Sequence, residues 1–207
     1  MNGEAPLETL FERAVVLHQT GLVDKATELY AQVLAQNPRH GKALHLGGLA
    51  LHQSGNHEEA VTLLRAAMAA GVNDIEARVT LGDALIDLGR FEEAREDLVC
   101  AIKTEPGHAW ARHLLGEALR GLGRLDDAVS SWRQSVHLNP ALAEAHFSLG
   151  TTLSGFGKAD EAIIHLRKAR EILPQSAQIH SNLLMAMQYA PAVDHAGMFE
   201  EHLRWSA

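Results

Sequence analysis

With 207 residues, 46% of them hydrophobic, and a net charge of −8, the chain can build a core and is too acidic to suit nucleic acid or an anionic membrane. Its one cysteine, Cys100, excludes an internal disulfide or a cysteine-based metal cluster, and no run of about 18 apolar residues offers a membrane span. The opening MNGEAPLETLFERA is acidic and lacks the apolar stretch of a secretory signal, so a soluble, cytoplasmic protein is expected.

The elements recur at a fixed step. Gly21, Gly55, Gly89, Gly123 and Gly157 lie 34 residues apart, and Ala26, Ala60, Ala94, Ala128 and Ala162 keep the same interval. Pro38, Pro106, Pro140 and Pro174 follow it too, with Val72 in the remaining slot. Self-similarity at such a period marks a stacked repeat architecture, which presents an extended binding surface rather than a catalytic pocket.

The predicted elements are helix pairs, taken here in chain order after a short tail at 1–6. The first unit is 7–40 and the second 41–74, where AGVNDIEA replaces the usual proline link and Gly71 is expected to close the second helix. The third is 75–108. In the fourth, 109–142, Leu115, Leu119 and Leu122 recur at helical spacing up to Gly123. A second stretch, Leu125 to Leu138, then carries Ala128, Val129, Trp132 and Val136 on one face and stops at Asn139-Pro140. The fifth unit is 143–176. Residues 177–207 start like a sixth first helix, break at Tyr189-Ala190-Pro191 and resume from Ala196 to Trp205, which suits a cap over the apolar end of an array.

Each column has a mechanical role. The glycines from Gly21 to Gly157 take the left-handed conformation that ends the first helix. The column Gly48, Gly82, Gly116 and Gly150, with Ala14 in the first unit, lies inside a helix, where glycine costs about 1 kcal/mol against alanine. That cost is accounted for if the missing side chain lets the partner helix approach. Leu17, Leu51, Leu85, Leu119 and Leu153 fill the space between helices. Glu58-Glu59, Glu92-Glu93 and Asp126-Asp127 start second helices and favour their dipoles.

The spacing Leu115-Gly116, Leu119, Ala128, Trp132 and Pro140 resembles the tetratricopeptide repeat. The resemblance implies an all-α, right-handed superhelical solenoid whose first helices line a concave groove. Reading inward-pointing positions gives Phe11, Val15 and His18, then His45, Leu49 and His52, then Val79, Asp83 and Ile86. Trp110, His113, Glu117 and Arg120 follow, and then Phe147 and Thr151. Aromatic and arginine anchors concentrate interface energy, so Trp110 beside His113 and Arg120 is the expected centre for a bound peptide. The family's clamp for acidic tails is absent, since its places hold Phe11, Val15, Leu46 and Thr80; an apolar, extended or helical segment fits better.

The segment SNLLMAMQYAPAVDHAGMFEEHLRW resembles the junction between repeats and catalytic region in bacterial relatives of the O-linked N-acetylglucosamine transferases. The matching positions are Ser181, Asn182, Leu183, Leu184, Tyr189, Pro191, Phe199, His202 and Trp205, and the resemblance places His202 at the edge of that family's active site. The asparagine column of those transferases reads Glu12, Leu46, Thr80, Leu114, Ser148 and Asn182 here, with one asparagine kept.

Thirteen histidines raise the question of a metal, yet no two are three or four residues apart, so no helix presents a ready ligand pair and no metal or other cofactor is expected. His18, His45, His52 and His113 would add positive charge to one groove near pH 6. No phosphate loop, nucleophile elbow or cysteine–histidine pair is visible, and Cys100, late in a second helix, is expected to be buried. The expected function is a non-enzymatic scaffold for a protein or peptide partner. The alternatives are the substrate-recruiting repeats of a glycosyltransferase, or self-association through the repeat ends.

Overall fold

A computed structural model describes residues 6–72, 74–190, 193, 197–199, 201 and 203. The described residues are helical or in short turns. The bounded helices are α1 (Leu7–Gln19), α2 (Val23–Gln36), α3 (Gly41–Gln53), α4 (His57–Ala69), α5 (Ile75–Asp87) and α6 (Phe91–Thr104). They continue with α7 (Ala109–Gly121), α8 (Leu125–Leu138), α9 (Ala143–Gly155), α10 (Ala159–Ile172) and α11 (Ala177–Gln188). Residues 197–199, 201 and 203 are helical as well. The chain forms two compact units, Met1–Pro106 and Gly107–Ala207.

In each unit consecutive helices pack as hairpins. The α3–α4 turn shows how the sequence makes one. The Gly55 N–H donates to His52 O at 3.0 Å and the Asn56 N–H to Leu51 O at 2.8 Å, two bonds that require the positive φ of +79° at Gly55. Gly71, with φ +87°, ends α4 by the same pair of bonds, to Met68 O and Ala67 O, both at 3.0 Å. By contrast α2, α6 and α8 end in extended residues, Asn37, Glu105 and Asn139, each directly before its proline.

Small residues set the hairpin spacing. Ala26, Ala60, Ala94, Ala128 and Ala162 are completely buried. A Cβ added at Gly48, Gly82 or Gly150 would lie 2.7 Å from the Cγ of Leu64, Leu98 or Leu166, and one at Gly116 would run into the indole of Trp132. The glycines are therefore fixed by the partner helix. The core of the first unit gathers Leu10, Phe11, Ala14, Tyr30 and Val33, and that of the second Trp132, Leu149, Leu153, Leu166, Leu183 and Met187. Trp132 donates its Nε1–H to His113 O at 3.2 Å, which satisfies the polar end of a fully buried indole.

Histidine serves twice as a helix cap, with His40 and His108 Nδ1 accepting from the Ala43 and Ala111 N–H groups. On α6, Glu93 takes hydrogen bonds from Arg90 and Arg65, which hold its carboxyl down at about 2. Cys100 is exposed rather than buried, because α6 turns Ala94, Leu98 and Ala101 inward and leaves Cys100 on the opposite side.

Candidate functional site

In the first unit, α1, α3 and α5 carry the candidate partner-facing residues, and the polar ones meet each other. His18 Nδ1 lies 3.3 Å from the Tyr30 hydroxyl and its Nε2 2.9 Å from Gln53 Oε1. Burial pushes the Tyr30 phenol up to about 12, so it stays protonated. His45 Nδ1 is 3.2 Å from Asp74 Oδ2, and His52 Nε2 is 3.5 Å from Asp83 Oδ2. The hydrogen bond to Asp83 raises the pKa of His52 against the opposing effect of burial, with the charges of Asp83 and Asp87 adding to it. Val15, Leu49 and Ile86 are half-buried among these groups.

Two residues of this set do not face outward. Phe11 is 8% exposed, with ring centroids 6.2 Å from Tyr30 and 4.8 Å from His40, and Val79 is 3% exposed. His113 in the second unit is likewise turned inward, 5% exposed, its ring centroid 4.9 Å from that of Trp110 with the planes tilted by 35°. All three stand fifth in their 34-residue repeats, a position that here falls in the seam between helices. A partner cannot take them as anchors without unpacking the hairpin.

The second unit sets two aromatic rings near an arginine. Trp110 on α7 and Phe147 on α9 are half-buried. Arg120 is exposed and donates to Glu117 Oε2 at 2.5 Å, while Ser148 Oγ donates to Glu117 Oε1 at 2.6 Å. Thr151 Oγ1 donates to Phe147 O at 2.9 Å, within its own helix. Aromatic area, a fixed carboxylate and an exposed guanidinium thus lie on neighbouring first helices.

Two features escape the repeat reading. His52 and His57, five residues apart across the α3–α4 turn, bring their Nδ1 atoms to 3.1 Å, and Asp87 at the end of α5 closes on both. The spacing argument missed them because it assumes one continuous helix. A cavity of about 400 Å³ also opens among Thr27, Tyr30, Leu34, Gly47, Leu51 and Leu63. Its sequence signal is a broken column: Gly47 stands where later units have Leu81, Leu115 and Leu149.

In the junction-like segment, Ser181, Asn182, Leu183 and Leu184 lie on α11, Tyr189 is its C-cap and Phe199 is exposed. Pro191, His202 and Trp205 lie outside the described residues. No described helix is long and apolar enough to cross a membrane.

Residues 79–132 and 113–177 match the tetratricopeptide repeat family, and residues 19–101 match the family described as anaphase-promoting complex, cyclosome, subunit 3. These matches end at residue 177 and do not bear on the junction resemblance. No curated protein matches the chain by sequence. Among solved structures, MamA from Desulfovibrio magneticus RS-1 superposes with a TM-score of 0.73 at 20% identity, covering 83% of this chain and 97% of its own. A thermophilic tetratricopeptide protein of Thermus thermophilus, TTC0263, gives 0.69 at 22% identity, over 88% and 100%. YrrB, described as a tetratricopeptide protein with an unusual peptide-binding site, gives 0.66 at 23% identity, over 82% and 88%. The fold is that of the tetratricopeptide solenoids.

Proposed function

We propose that this tetratricopeptide-repeat chain is a non-enzymatic scaffold that captures an apolar segment of a partner protein along its first helices. Trp110 and Phe147 act as anchors and Arg120 orients the bound backbone. The observation that carries this reading is the contrast among the large aromatics of the second unit. Trp132 is fully buried and hydrogen-bonded within its hairpin, whereas Trp110 and Phe147, on successive first helices, are only half-buried. An aromatic left half-covered on a rigid helix loses little entropy on binding and supplies area where binding energy concentrates. The peptide-binding site ascribed to YrrB supports this use of the same fold.

Selection of the purified chain against a library of displayed random peptides tests the proposal. The expected result is enrichment of segments with spaced apolar or aromatic residues that compete with one another for binding. Recovery of no sequence above a blank surface would overturn it.

A further inference from the structure

We infer that His52, His57 and Asp87 form a binding site for one divalent transition-metal cation of the zinc class. The group is the cluster of three potential metal ligands found among the described residues, and it lies wholly within the first unit. His52 ends its side of the α3–α4 hairpin, His57 opens α4, and Asp87 is the last residue of α5. The glycine turn at Gly55 reverses the chain, so the two imidazoles face each other although five residues separate them.

The separations fit a shared ion. His52 Nδ1 and His57 Nδ1 are 3.1 Å apart, and Asp87 Oδ2 lies 3.5 Å from His57 Nδ1 and 3.7 Å from His52 Nδ1. Ligand atoms held about 2.0–2.1 Å from one tetrahedral ion stand about 3.3 Å from each other, so small side-chain rotations seat all three. Two imidazole nitrogens and one carboxylate oxygen match the donors that zinc and cobalt accept, and the fourth tetrahedral position is left to water.

Asp83 supplies the outer support such a site needs. It faces Nε2 of His52 at 3.5 Å, so the Nε2–H points at the carboxylate and the Nδ1 lone pair is directed at the ion. The side chains of His52, His57 and Asp87 are 15%, 27% and 45% exposed, which leaves an entry path. The His146–His165 pair of the second unit serves as an internal control. Its Nδ1 atoms are 3.0 Å apart, and His146 Nε2 has an outer partner of its own in the Pro140 carbonyl at 3.2 Å. No described carboxylate completes a group of three there. A bound ion would tie the turn of one hairpin to the end of the next first helix.

The test is calorimetric titration of the chelator-treated full chain with zinc chloride, repeated with cobalt(II) to read the visible band of tetrahedral coordination. One saturable site is expected. His52→Gln/His57→Gln should weaken it at least 100-fold, Asp87→Asn about tenfold, and Asp83→Asn, a positioning change, 10–100-fold. His146→Gln/His165→Gln should leave it unchanged. Zinc should raise the thermal midpoint of the wild type and of that last variant by the same amount, that of Asp87→Asn and Asp83→Asn by less, and that of His52→Gln/His57→Gln least. Circular dichroism confirms that each variant folds, and Asp87→Asn, at an exposed helix end, tests the site without disturbing the hairpin. Weak multisite uptake that is the same in wild type and His52→Gln/His57→Gln, or no uptake, would overturn the inference.

Discussion

His52–His57 in the first unit and His146–His165 in the second bring imidazole nitrogens to nearly the same separation, in opposite surroundings. Asp83 and Asp87 face the first pair, and the Asp83 hydrogen bond raises the pKa of His52. Burial lowers both members of the second, helped at His146 by Lys168 and at His165 by the charge of His146 and by Arg133. The interhelical glycines vary by position, since Gly150 of the second unit meets Leu166 much as Gly48 and Gly82 meet their leucines. Gly48 and Gly82 meet branched, adjustable leucines, whereas Gly116 meets a rigid, hydrogen-bonded indole. One repeat plan thus yields a histidine pair faced by carboxylates in the first unit and a histidine pair held by burial in the second. The repeat period sets the backbone, and the side chains between the columns decide what each unit can do.

Breaking the packing should give the largest effect. Gly116→Ala forces Trp132 from its place, and overpacking of this kind should destabilise by about 3 kcal/mol despite the gain of about 1 kcal/mol in helix propensity. Gly48→Ala meets the Leu64 Cγ at 2.7 Å rather than an indole, and should cost less, about 1–2 kcal/mol. Urea unfolding of both variants checks the order. Equal losses would erase the distinction between packing on an indole and packing on a leucine.

Acid should separate the units next. The raised pKa of His52 means that its pairing with Asp83 stabilises fully below the ordinary histidine value of 6.5 and is lost as pH rises through the folded value. His146 and His165, with lowered values, refuse a proton that the unfolded chain accepts, so they cost stability as pH falls through 6.5. In the presence of chelator, His52→Gln should abolish the gain seen on acidification from about pH 8, and His146→Gln/His165→Gln the loss seen toward about pH 5. Unfolding midpoints across that range read both. Parallel profiles for all three proteins would refute the electrostatic contrast. The smallest effect belongs to the pair of exposed Arg120 with half-buried Glu117, where Arg120→Ala should change stability by less than about 1 kcal/mol.

Much of this was legible beforehand. The glycine and alanine columns located the turns and the hairpin contacts, because those positions depend on backbone conformation and on the absence of a side chain. Gly71 was readable as the exit from α4 for the same reason. Pairings across a turn were harder to see, and His52 with His57 shows why: helical spacing says nothing about residues that a reversal brings together. The burial of Phe11, Val79 and His113 depends on the rotation of each first helix within its seam. Neighbouring repeats resolve that rotation differently, since His45 and Phe147 hold the equivalent place and remain half-buried. Cys100 was misplaced because position along a helix does not reveal the face it occupies.

The scaffold reading stands on Trp110 and Phe147. Affinity of a library-selected peptide for the wild type and for Trp110→Ala/Phe147→Ala, measured by calorimetry with far-ultraviolet dichroism alongside, tests it most directly. A loss of at least about tenfold with unchanged helical content is the predicted result. Undiminished binding by the double variant would contradict the assignment.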